Sequence, residues 1–445
     1  MSFFVLRINH DILKILDFYF LTNMKRKILS SLLFLLTVTT HAQVQPTTAL
    51  VGSWNGKLNV GAISLALVLN FEQKDGYVVV TLDSPDQGAK GISAYKDYLS
   101  DDSVSIHIDG VAINYCAKLK DGKLVGTFTQ HGQSFPLVLE KGTYEVRRPQ
   151  EPKAPFPYKT EEVTFRNEQD GATLAGTLTY PLVYDPQQPK QTPVVLLVTG
   201  SGQQNRDEEL MQHKPFLVIA DYFARQGIAT LRYDDRATGK SQGGEVRNAT
   251  TLDFMRDAAA GIDYLRRLKK FGIIGVLGHS EGGSIAFMLG AQKKVDYLIS
   301  LASPGVKGDT LLAAQGNRIL TLSGQPVTMT VRQLRQQDAV QQQPWLRWFI
   351  DYDPSTDIRK TRCPVFALNG DRDSQVIAEQ NLTAIERLLP QNKHHCLKIY
   401  PELNHLFQHA ATGLPTEYGE IEETLSPEVL KDMVAWIQSL LNVKR

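Results

Sequence analysis

Cysteine, excess charge of either sign and long apolar runs are all scarce in this chain of 445 residues. It has 3 cysteines, 48 Lys and Arg against 47 Asp and Glu, and a formal net charge of +1. So few cysteines exclude a disulfide framework, and their spacing matches no metal-binding pattern. The near-neutral charge argues against nucleic acid as a partner, because binding to phosphates needs a concentrated basic face.

Two of the cysteines fall in the same predicted domain. Cys363 and Cys396 each stand at the start of a predicted strand, so neighbouring strands could allow them to bridge in an oxidising compartment. We expect buried free thiols there instead, because free cysteine is among the residues most often found in protein interiors.

The apolar run near the N-terminus has the pattern of an export signal. Met24 opens a basic segment, residues 28–38 are apolar, and Thr40-His41-Ala42 offers a small-x-small cleavage site. About a dozen apolar residues cannot cross roughly 30 Å of hydrocarbon as a helix. We therefore expect a signal peptide within residues 1–42, with Met24 as the true start, export to the periplasm or beyond, and no stable membrane anchor after cleavage. An uncleaved anchor over residues 18–38 is the alternative.

Residues 45–145 show no helical periodicity. Their β-rich runs are separated by the turn dipeptides Asp75-Gly76, Asp109-Gly110 and Asp121-Gly122. This pattern predicts a small all-β domain, an antiparallel barrel or sandwich. The expected strands are Leu58–Phe71, Tyr77–Leu82, Val104–Ile108, Ile113–Leu119, Leu124–Thr129 and Phe135–Leu139.

A different pattern follows a proline-rich stretch at residues 146–160, which has the composition of a semi-rigid linker. From 161 to 445, apolar runs suited to buried strands alternate with amphipathic segments. The alternation predicts an α/β domain, a mostly parallel sheet with helices on both faces. A glutamine-rich, largely helical segment at about 305–360 interrupts it, and an excursion of that size between two strands predicts a cap over a functional site.

The segment Gly278-His279-Ser280-Glu281-Gly282 carries the strongest chemical signal. It lies directly after a predicted apolar strand and at the start of a predicted helix, as a nucleophile elbow does. Glycines allow the strand and helix backbones to approach each other, and the helix N-terminus favours developing negative charge. A glycine-rich turn without chemistry is the plain alternative. The context predicts that Ser280 is a catalytic nucleophile.

A serine nucleophile needs a general base and an acid that orients it, in the chain order serine, acid, histidine for this type of elbow. The strand Val365–Leu368 runs into a loop with two candidate acids, Asp371 and Asp373. The next strand, Cys396–Tyr400, is followed by a loop that contains His405. His394 and His395 precede that strand and would lie at the wrong edge of the sheet.

The tetrahedral oxyanion of acyl transfer needs backbone donors. One is expected from the N–H of Glu281, the residue after the nucleophile. The other is expected from the loop that follows Thr199, where we assign the N–H of Ser201, with Gly202 as the alternative. Such a donor lowers a barrier by roughly 2–4 kcal/mol.

Two other motifs are rejected. His405 and His409 stand four residues apart, but no HExxH pattern accompanies them, and we expect no metal site. Gly239-Lys240-Ser241 resembles the end of a phosphate-binding loop, yet Asp234 occupies the position where that motif needs glycine. We therefore expect no bound nucleotide and no other cofactor.

These motifs resemble the α/β-hydrolase superfamily, in particular its esterase and serine aminopeptidase-like branch, over roughly Glu161 to Leu441. The segment from Arg232 to Ser241 is similar to the D-x-R-G-x-G-x-S segment of many members, with Ala237 in place of a glycine. The segment from Gly200 to Asp207 looks like exported bacterial members that carry an N-terminal β domain. The resemblance favours Asp373 as the acid, because related enzymes carry it three residues after the glycine that ends the strand.

The resemblance implies an α/β-hydrolase fold with a helical cap and hydrolysis of small-molecule carboxylic esters without a cofactor. A serine peptidase on the same fold is one alternative. A catalytically inert ligand-binding protein is another, although a complete set of triad residues argues against it.

Overall fold

An eight-stranded closed barrel forms the N-terminal part of the computed structural model, which describes residues 49–441 except 61–62, 75, 86–88, 145–146 and 326–328. Every neighbouring pair of strands is antiparallel, and β1 closes the barrel on β8 through Trp54 opposite Lys141. The expected all-β domain is therefore a barrel. The strands are β1 (Gly52–Val60), β2 (Ile63–Lys74), β3 (Tyr77–Ser84), β4 (Ala89–Leu99), β5 (Ser103–Ile108), β6 (Ile113–Lys120), β7 (Lys123–Gln130) and β8 (Gln133–Lys141).

Apolar side chains fill the inside of the barrel. Alternate residues of β3, β5 and β6 are buried, as expected where one face of a strand meets the core. Trp54 is 1% exposed and donates its indole N–H to the Leu50 carbonyl oxygen at 2.8 Å. Tyr115 is equally buried, and its hydroxyl contacts the carbonyl oxygens of Leu124 and Leu137 at 3.3 Å.

The strand pattern differs from the prediction in two places. The run Leu58–Phe71, predicted as one strand, belongs to β1 and β2, which reverse direction between the paired residues Val60 and Ile63. An unbroken β-rich run hid this reversal. Strand β4 was not predicted at all, because most of its residues are charged or exposed and a register shift between Lys96 and Tyr98 breaks its alternation.

Residues from Arg147 onward form a second compact unit around an eight-stranded sheet. The strand order is β16-β15-β14-β13-β11-β12-β10-β9, parallel from β12 to β16 and antiparallel at β10 and β9. The strands are β9 (Thr160–Asn167), β10 (Ala172–Thr179), β11 (Val194–Val198), β12 (Ala229–Tyr233), β13 (Ile274–His279), β14 (Tyr297–Leu301), β15 (Val365–Gly370) and β16 (Cys396–Tyr400).

Helices cover both faces of this sheet. Helices α2 (Thr251–Leu268), α3 (Glu281–Ala291) and α9 (Ala378–Leu388) pack on one face, and α1 (Pro215–Arg225) and α10 (Pro427–Leu441) pack on the other. The strands of the sheet centre are apolar throughout because both of their faces are buried. The predicted α/β architecture is confirmed.

The insertion between β14 and β15 is helical, as predicted for the cap. Gln336 and Gln337 lie between α5 and α6 and are not helical, in a segment that the sequence predicts to be largely helical. The helices are α4 (Gly308–Leu322), α5 (Val331–Arg335), α6 (Asp338–Gln342), α7 (Pro344–Asp351) and α8 (Ser355–Lys360).

The N-terminal signal predicted within residues 1–42 lies outside the described residues. Within the part of the chain that is described, none of the helices combines the length and apolarity needed to cross a membrane.

The cysteines are free thiols. Cys116 is exposed, whereas Cys363 and Cys396 are partly buried and form no disulfide. Burial raises the pKa of the Cys363 thiol to about 12 and also raises that of Cys396. Thiols with raised pKa values carry little thiolate at neutral pH and are poor nucleophiles.

Candidate active site

Ser280 occupies a strained turn between β13 and α3. Its backbone angles are φ 53° and ψ −116°, outside the regions that L residues ordinarily adopt. The turn is held by two backbone hydrogen bonds: the Ser280 N–H donates to the Leu301 carbonyl oxygen at 2.8 Å, and the Gly283 N–H donates to the Ser280 carbonyl oxygen at 2.9 Å. Strain of this kind is stored at functional sites, where the surroundings fix it.

Close backbone contacts explain the glycines of this turn. A Cβ atom on Gly278 would lie 2.0 Å from the Gly282 carbonyl oxygen, and one on Gly282 would lie 2.2 Å from the Val198 carbonyl oxygen. Both distances are far below van der Waals contact, so any side chain would push helix α3 away from the sheet. The glycines thus allow the helix to begin directly beneath Ser280.

Asp373 and His405 come together at the carboxyl edge of the sheet. Asp373 follows β15, His405 follows the adjacent strand β16, and His405 Nδ1 lies 2.7 Å from Asp373 Oδ2. The other carboxylate oxygen, Oδ1, accepts the N–H groups of Gln375 and Val376 at 2.8 Å each. Both side chains are fully buried, so the carboxylate fixes the tautomer and orientation of the imidazole.

The Nε2 atom of His405 points away from this pair and is buried without a hydrogen-bond partner among the described residues. Burial lowers the pKa of His405 below its ordinary value, while Asp373 opposes that shift only in part. The ring lies 4.7 Å from that of His279, the residue before Ser280. The structure therefore brings the His405 imidazole next to the elbow, with Nδ1 paired to Asp373 and Nε2 outside that pair.

The competing residues are engaged elsewhere. Asp371 is exposed, and its carboxylate accepts the Glu402 N–H at 2.7 Å. His395 accepts the Val365 N–H at 3.1 Å, at the amino end of β15, and the His394 carbonyl oxygen accepts the indole N–H of Trp436. His409 pairs with Glu423 at 2.8 Å and does not converge on His405.

The loop after β11 packs directly against the nucleophile. A Cβ atom on Gly200 would lie 3.3 Å from Ser280 Cβ, so the backbone of this loop touches the elbow. The Gly200 N–H donates to Glu208 Oε1 at 2.7 Å and is therefore not available to a substrate. Ser201 is partly buried, Gly202 has φ 100°, and both follow Gly200 at the same sheet edge.

Asp235 anchors the other end of this loop. Its carboxylate accepts the Thr199 hydroxyl at 3.1 Å and the Gln204 N–H at 2.8 Å. Burial raises the pKa of Asp235 well above its ordinary value. Ala237, which replaces a glycine of the resembling segment, adopts φ 54°, so the turn keeps the left-handed conformation that a glycine would favour.

Glu281 connects the elbow with the helical insertion. Its side chain is 3% exposed, and Oε1 accepts the Thr251 hydroxyl at 2.6 Å and the indole N–H of Trp345 at 2.8 Å. Trp345 belongs to α7, so the insertion reaches the residue after Ser280. A pocket beside the elbow is lined in part by Gly202, Phe254 and Glu281.

Sequence reasoning missed two residues at the centre of the site. Glu208 and His279 form a second buried carboxylate–imidazole pair, with Glu208 Oε1 2.9 Å from His279 Nδ1. His279 stands inside the elbow motif and could have been questioned there, because a buried imidazole needs partners for two nitrogens. Glu208 carries no motif, and only the fold brings it to His279.

A strained serine between a strand and a helix, with a paired aspartate and histidine on the same sheet edge, defines an α/β-hydrolase. The family described as "Serine aminopeptidase, S33" matches residues 213–363. Esterase EstD of Thermotoga maritima is 23% identical over 345 residues, which cover 72% of this chain and 79% of the esterase. Monoacylglycerol lipase of Mycolicibacterium smegmatis is 23% identical over 306 residues, which cover 62% of this chain and 98% of the lipase. The fold and these comparisons together support a serine hydrolase of the α/β-hydrolase fold.

Solved structures with similarity to the chain include two esterases. The Pyrococcus furiosus esterase Pf2001 aligns with a TM-score of 0.43 and 19% identity over 68% of this chain and 98% of that chain. Est1E from Butyrivibrio proteoclasticus, solved with ferulic acid bound, aligns with a TM-score of 0.43 and 18% identity over 62% of this chain and 98% of that chain.

Proposed function

We propose that the protein hydrolyses carboxylic esters through a Ser280–His405–Asp373 triad and an acyl-enzyme intermediate. The observation that carries the proposal is the buried His405–Asp373 pair, 2.7 Å apart, beside the strained elbow of Ser280. Within the described part of the chain no group, Ser280 included, hydrogen-bonds to His405 Nε2, so this nitrogen is not engaged elsewhere. The names of the two curated relatives, an esterase and a monoacylglycerol lipase, favour an ester as the substrate.

The proposed reaction has two steps. Ser280 Oγ attacks the ester carbonyl carbon while His405 Nε2 takes the hydroxyl proton, and the tetrahedral intermediate then expels an alcohol that receives the proton from His405. Water attacks the acyl-enzyme in the second step, with His405 again acting as base, and releases the carboxylic acid. The lowered pKa of His405 supports this role, since the imidazole must be neutral to accept a proton.

Two backbone amides are proposed to bind the oxyanion. The N–H of Glu281 is at the start of α3, where the helix dipole favours negative charge. The N–H of Ser201 is the second donor, with Gly202 as the alternative. The contact between Gly200 and Ser280 supports this assignment, because it brings the loop next to the side chain of the nucleophile.

Peptide hydrolysis on the same triad is the second candidate, because the family matched over residues 213–363 is described as a serine aminopeptidase. An aminopeptidase needs a group that binds the substrate's terminal amine. No motif identifies that group, so we favour the ester.

A fluorophosphonate probe and two substrate series test the proposal. The probe should label the wild-type protein and fail to label Ser280→Ala, and short p-nitrophenyl esters should be turned over by the wild type alone. Efficient cleavage of aminoacyl anilides without comparable ester turnover would favour the peptidase. Absence of labelling and of turnover in a correctly folded wild type would instead favour an inert ligand-binding protein.

A further inference from the structure

The buried pair of Glu208 and His279 lies where three parts of the site meet. Glu208 Oε1 accepts the Gly200 N–H at 2.7 Å, on the loop that contacts Ser280. His279 precedes Ser280 in the elbow, and its Nε2 lies 2.9 Å from the carbonyl oxygen of His405. A single pair of side chains therefore connects three parts of the site: the loop after β11 (the oxyanion loop, from Gly200), the nucleophile Ser280, and the loop after β16 that carries His405.

The hydrogen-bonding pattern favours one arrangement of the protons in this pair. A carbonyl oxygen can only accept, so His279 Nε2 carries a hydrogen towards His405. Glu208 Oε1 also accepts the Gly200 N–H, and an ionised carboxylate oxygen accepts two N–H groups more strongly than the hydroxyl oxygen of a carboxylic acid, so the pattern favours a hydrogen on His279 Nδ1 as well. An imidazole with hydrogens on both nitrogens is a cation, and the pair is a carboxylate and an imidazolium.

We propose that Glu208 and His279 are positioning residues, whose ion pair holds the oxyanion loop and the loop of His405 in the arrangement that acyl transfer requires. A neutral pair would lose or weaken one of the three links. If His279 loses a proton from Nε2, the bond to His405 is lost. If it loses the proton from Nδ1, the glutamate side chain must donate in its place and the bond to Gly200 weakens. The inference rests on the proposed triad.

The surrounding charges agree with an ion pair. Burial by itself would lower the pKa of His279, but the charge and hydrogen bond of Glu208 raise it above the ordinary value. The titratable groups that face His279 are Glu208, Asp373 and His405, which come from three different loops. The imidazolium in turn lowers the pKa of His405, and its effect there exceeds the opposing effect of Glu208.

Glu208→Gln is the decisive variant, because it keeps the side-chain shape and removes the negative charge that stabilises protonated His279. We expect kcat/KM for p-nitrophenyl acetate to fall about 10- to 100-fold, mainly in kcat, because small displacements of catalytic groups cost that much. The acid limb of kcat/KM should move to higher pH, because His405 is protonated more easily once the neighbouring cation is lost. A residue that served stability alone would not move that limb.

Glu423→Gln is the matched control. Glu423 pairs with His409 at 2.8 Å in the loop that follows His405, so it is also a carboxylate–imidazole pair, but it does not contact Gly200 or the elbow. We expect its kinetics and pH profile to match the wild type. The single variant His279→Gln and the double variant Glu208→Gln/His279→Gln complete the cycle. The double variant should lose no more activity than the less active of the two single variants, because the two residues act as a unit.

Several results separate this inference from the proposed triad. Unchanged kcat and an unmoved acid limb in folded Glu208→Gln would overturn the inference, as would a loss confined to KM. Failure of the wild type to react with a fluorophosphonate would overturn the triad first. Nitrogen-15 NMR of the wild-type histidines needs no variant to fold: His279 should be doubly protonated at neutral pH, and a neutral ring would overturn the inference.

Discussion

The barrel and the hydrolase unit bury very different side chains. In the described part of the barrel, the buried residues are apolar or aromatic except for Ser84. The hydrolase unit also has an apolar core, but it buries many charged or titratable groups as well. Among these are Glu208, Asp235, Arg236, Asp257, His279, Asp373 and His405.

The difference follows from what each unit does with its interior. A buried charge is costly unless it is paired and hydrogen-bonded, so it is retained where it has a use. Most of those named surround the carboxyl edge of the sheet, where Asp373 orients His405 and Asp235 anchors the loop after β11. Arg236 and Asp257 instead form a buried ion pair at 2.7 Å that joins α2 to the turn after β12. Apolar packing accounts for the buried side chains of the barrel, whereas those of the hydrolase unit require both apolar packing and paired charges.

Asp373→Asn should break the site with the largest effect. The amide can still accept the N–H groups of Gln375 and Val376, but it no longer holds His405 in the tautomer that leaves Nε2 free. We expect kcat for short esters to fall about 10⁴-fold with KM little changed. Steady-state kinetics measure both, and Asp371→Asn serves as control because the Asp371 carboxylate accepts the Glu402 N–H instead of holding His405. If the control lost as much activity as Asp373→Asn, the assignment of the acid would be wrong.

Leu139→Ala tests whether packing alone stabilises the barrel. Leu139 is 0% exposed on β8, and its neighbour Val138, 42% exposed, points to the other face of the same strand. We expect Leu139→Ala to lower the free energy of unfolding of the barrel by about 4 kcal/mol, because it removes buried methyl groups and leaves a cavity. Val138→Ala should change it by less than about 0.5 kcal/mol.

Hydrogen exchange of barrel peptides measures the stability change caused by Leu139→Ala and by Val138→Ala separately from the stability of the rest of the chain. The triad residues all follow residue 146, so ester turnover per folded molecule should be unchanged in both variants. Equal losses of protection in Leu139→Ala and Val138→Ala would contradict the assignment of an inside and an outside face.

Much of this fold can be predicted from the sequence because apolar runs, amphipathic periodicity and turn residues are read over a few neighbouring positions. The sheet of the hydrolase unit could be predicted because continuous apolar runs alternate with amphipathic segments, and strand Cys396–Tyr400 has the predicted bounds. Ser280 and His405 could be predicted as catalytic because Ser280 directly follows a recognisable strand and His405 lies in the loop after the last one. Strand β4 could not, since its alternation is broken and its residues are mostly exposed.

The residues that were missed depend on contacts between distant parts of the chain. Glu208 meets His279 across 71 positions, and Trp345 reaches Glu281 across 64. Neither contact leaves a repeat or spacing in the sequence. The choice between Asp371 and Asp373 was likewise open from strand order alone, because both aspartates follow the same strand.

Acid should weaken the hydrolase unit through His213, a buried histidine outside the proposed triad. Burial, with the charge of Arg148, lowers the pKa of His213 from 6.5 to about 4. The unfolded chain then binds this proton more tightly than the folded one, so stability is fully present above about pH 6.5 and declines as the pH falls towards 4. We expect up to about 3 kcal/mol to be lost over that window.

Urea unfolding of the hydrolase unit between pH 4 and 7.5 measures this slope. His213→Gln retains a polar side chain that can contact Thr424, the partner of His213 Nδ1 at 2.9 Å, but does not titrate. The variant should therefore be less stable at neutral pH and show a shallower slope. An identical slope in the variant would assign the acid sensitivity to other groups.

Trp345→Phe should change activity least of these variants, and it tests whether the helical insertion contributes to catalysis. The substitution keeps an aromatic ring, which stacks on Phe349, and removes the indole N–H that Glu281 accepts at 2.8 Å. Glu281 keeps its bond from Thr251, so we expect kcat/KM to fall only about fivefold, equivalent to about 1 kcal/mol. Trp348→Phe is the matched control in the same helix, because Trp348 stacks on Tyr352 instead. If both variants behaved alike, the hydrogen bond from the insertion to the elbow would have no part in catalysis. The buried polar contacts that matter for catalysis would then lie at the carboxyl edge of the sheet and would not include the insertion.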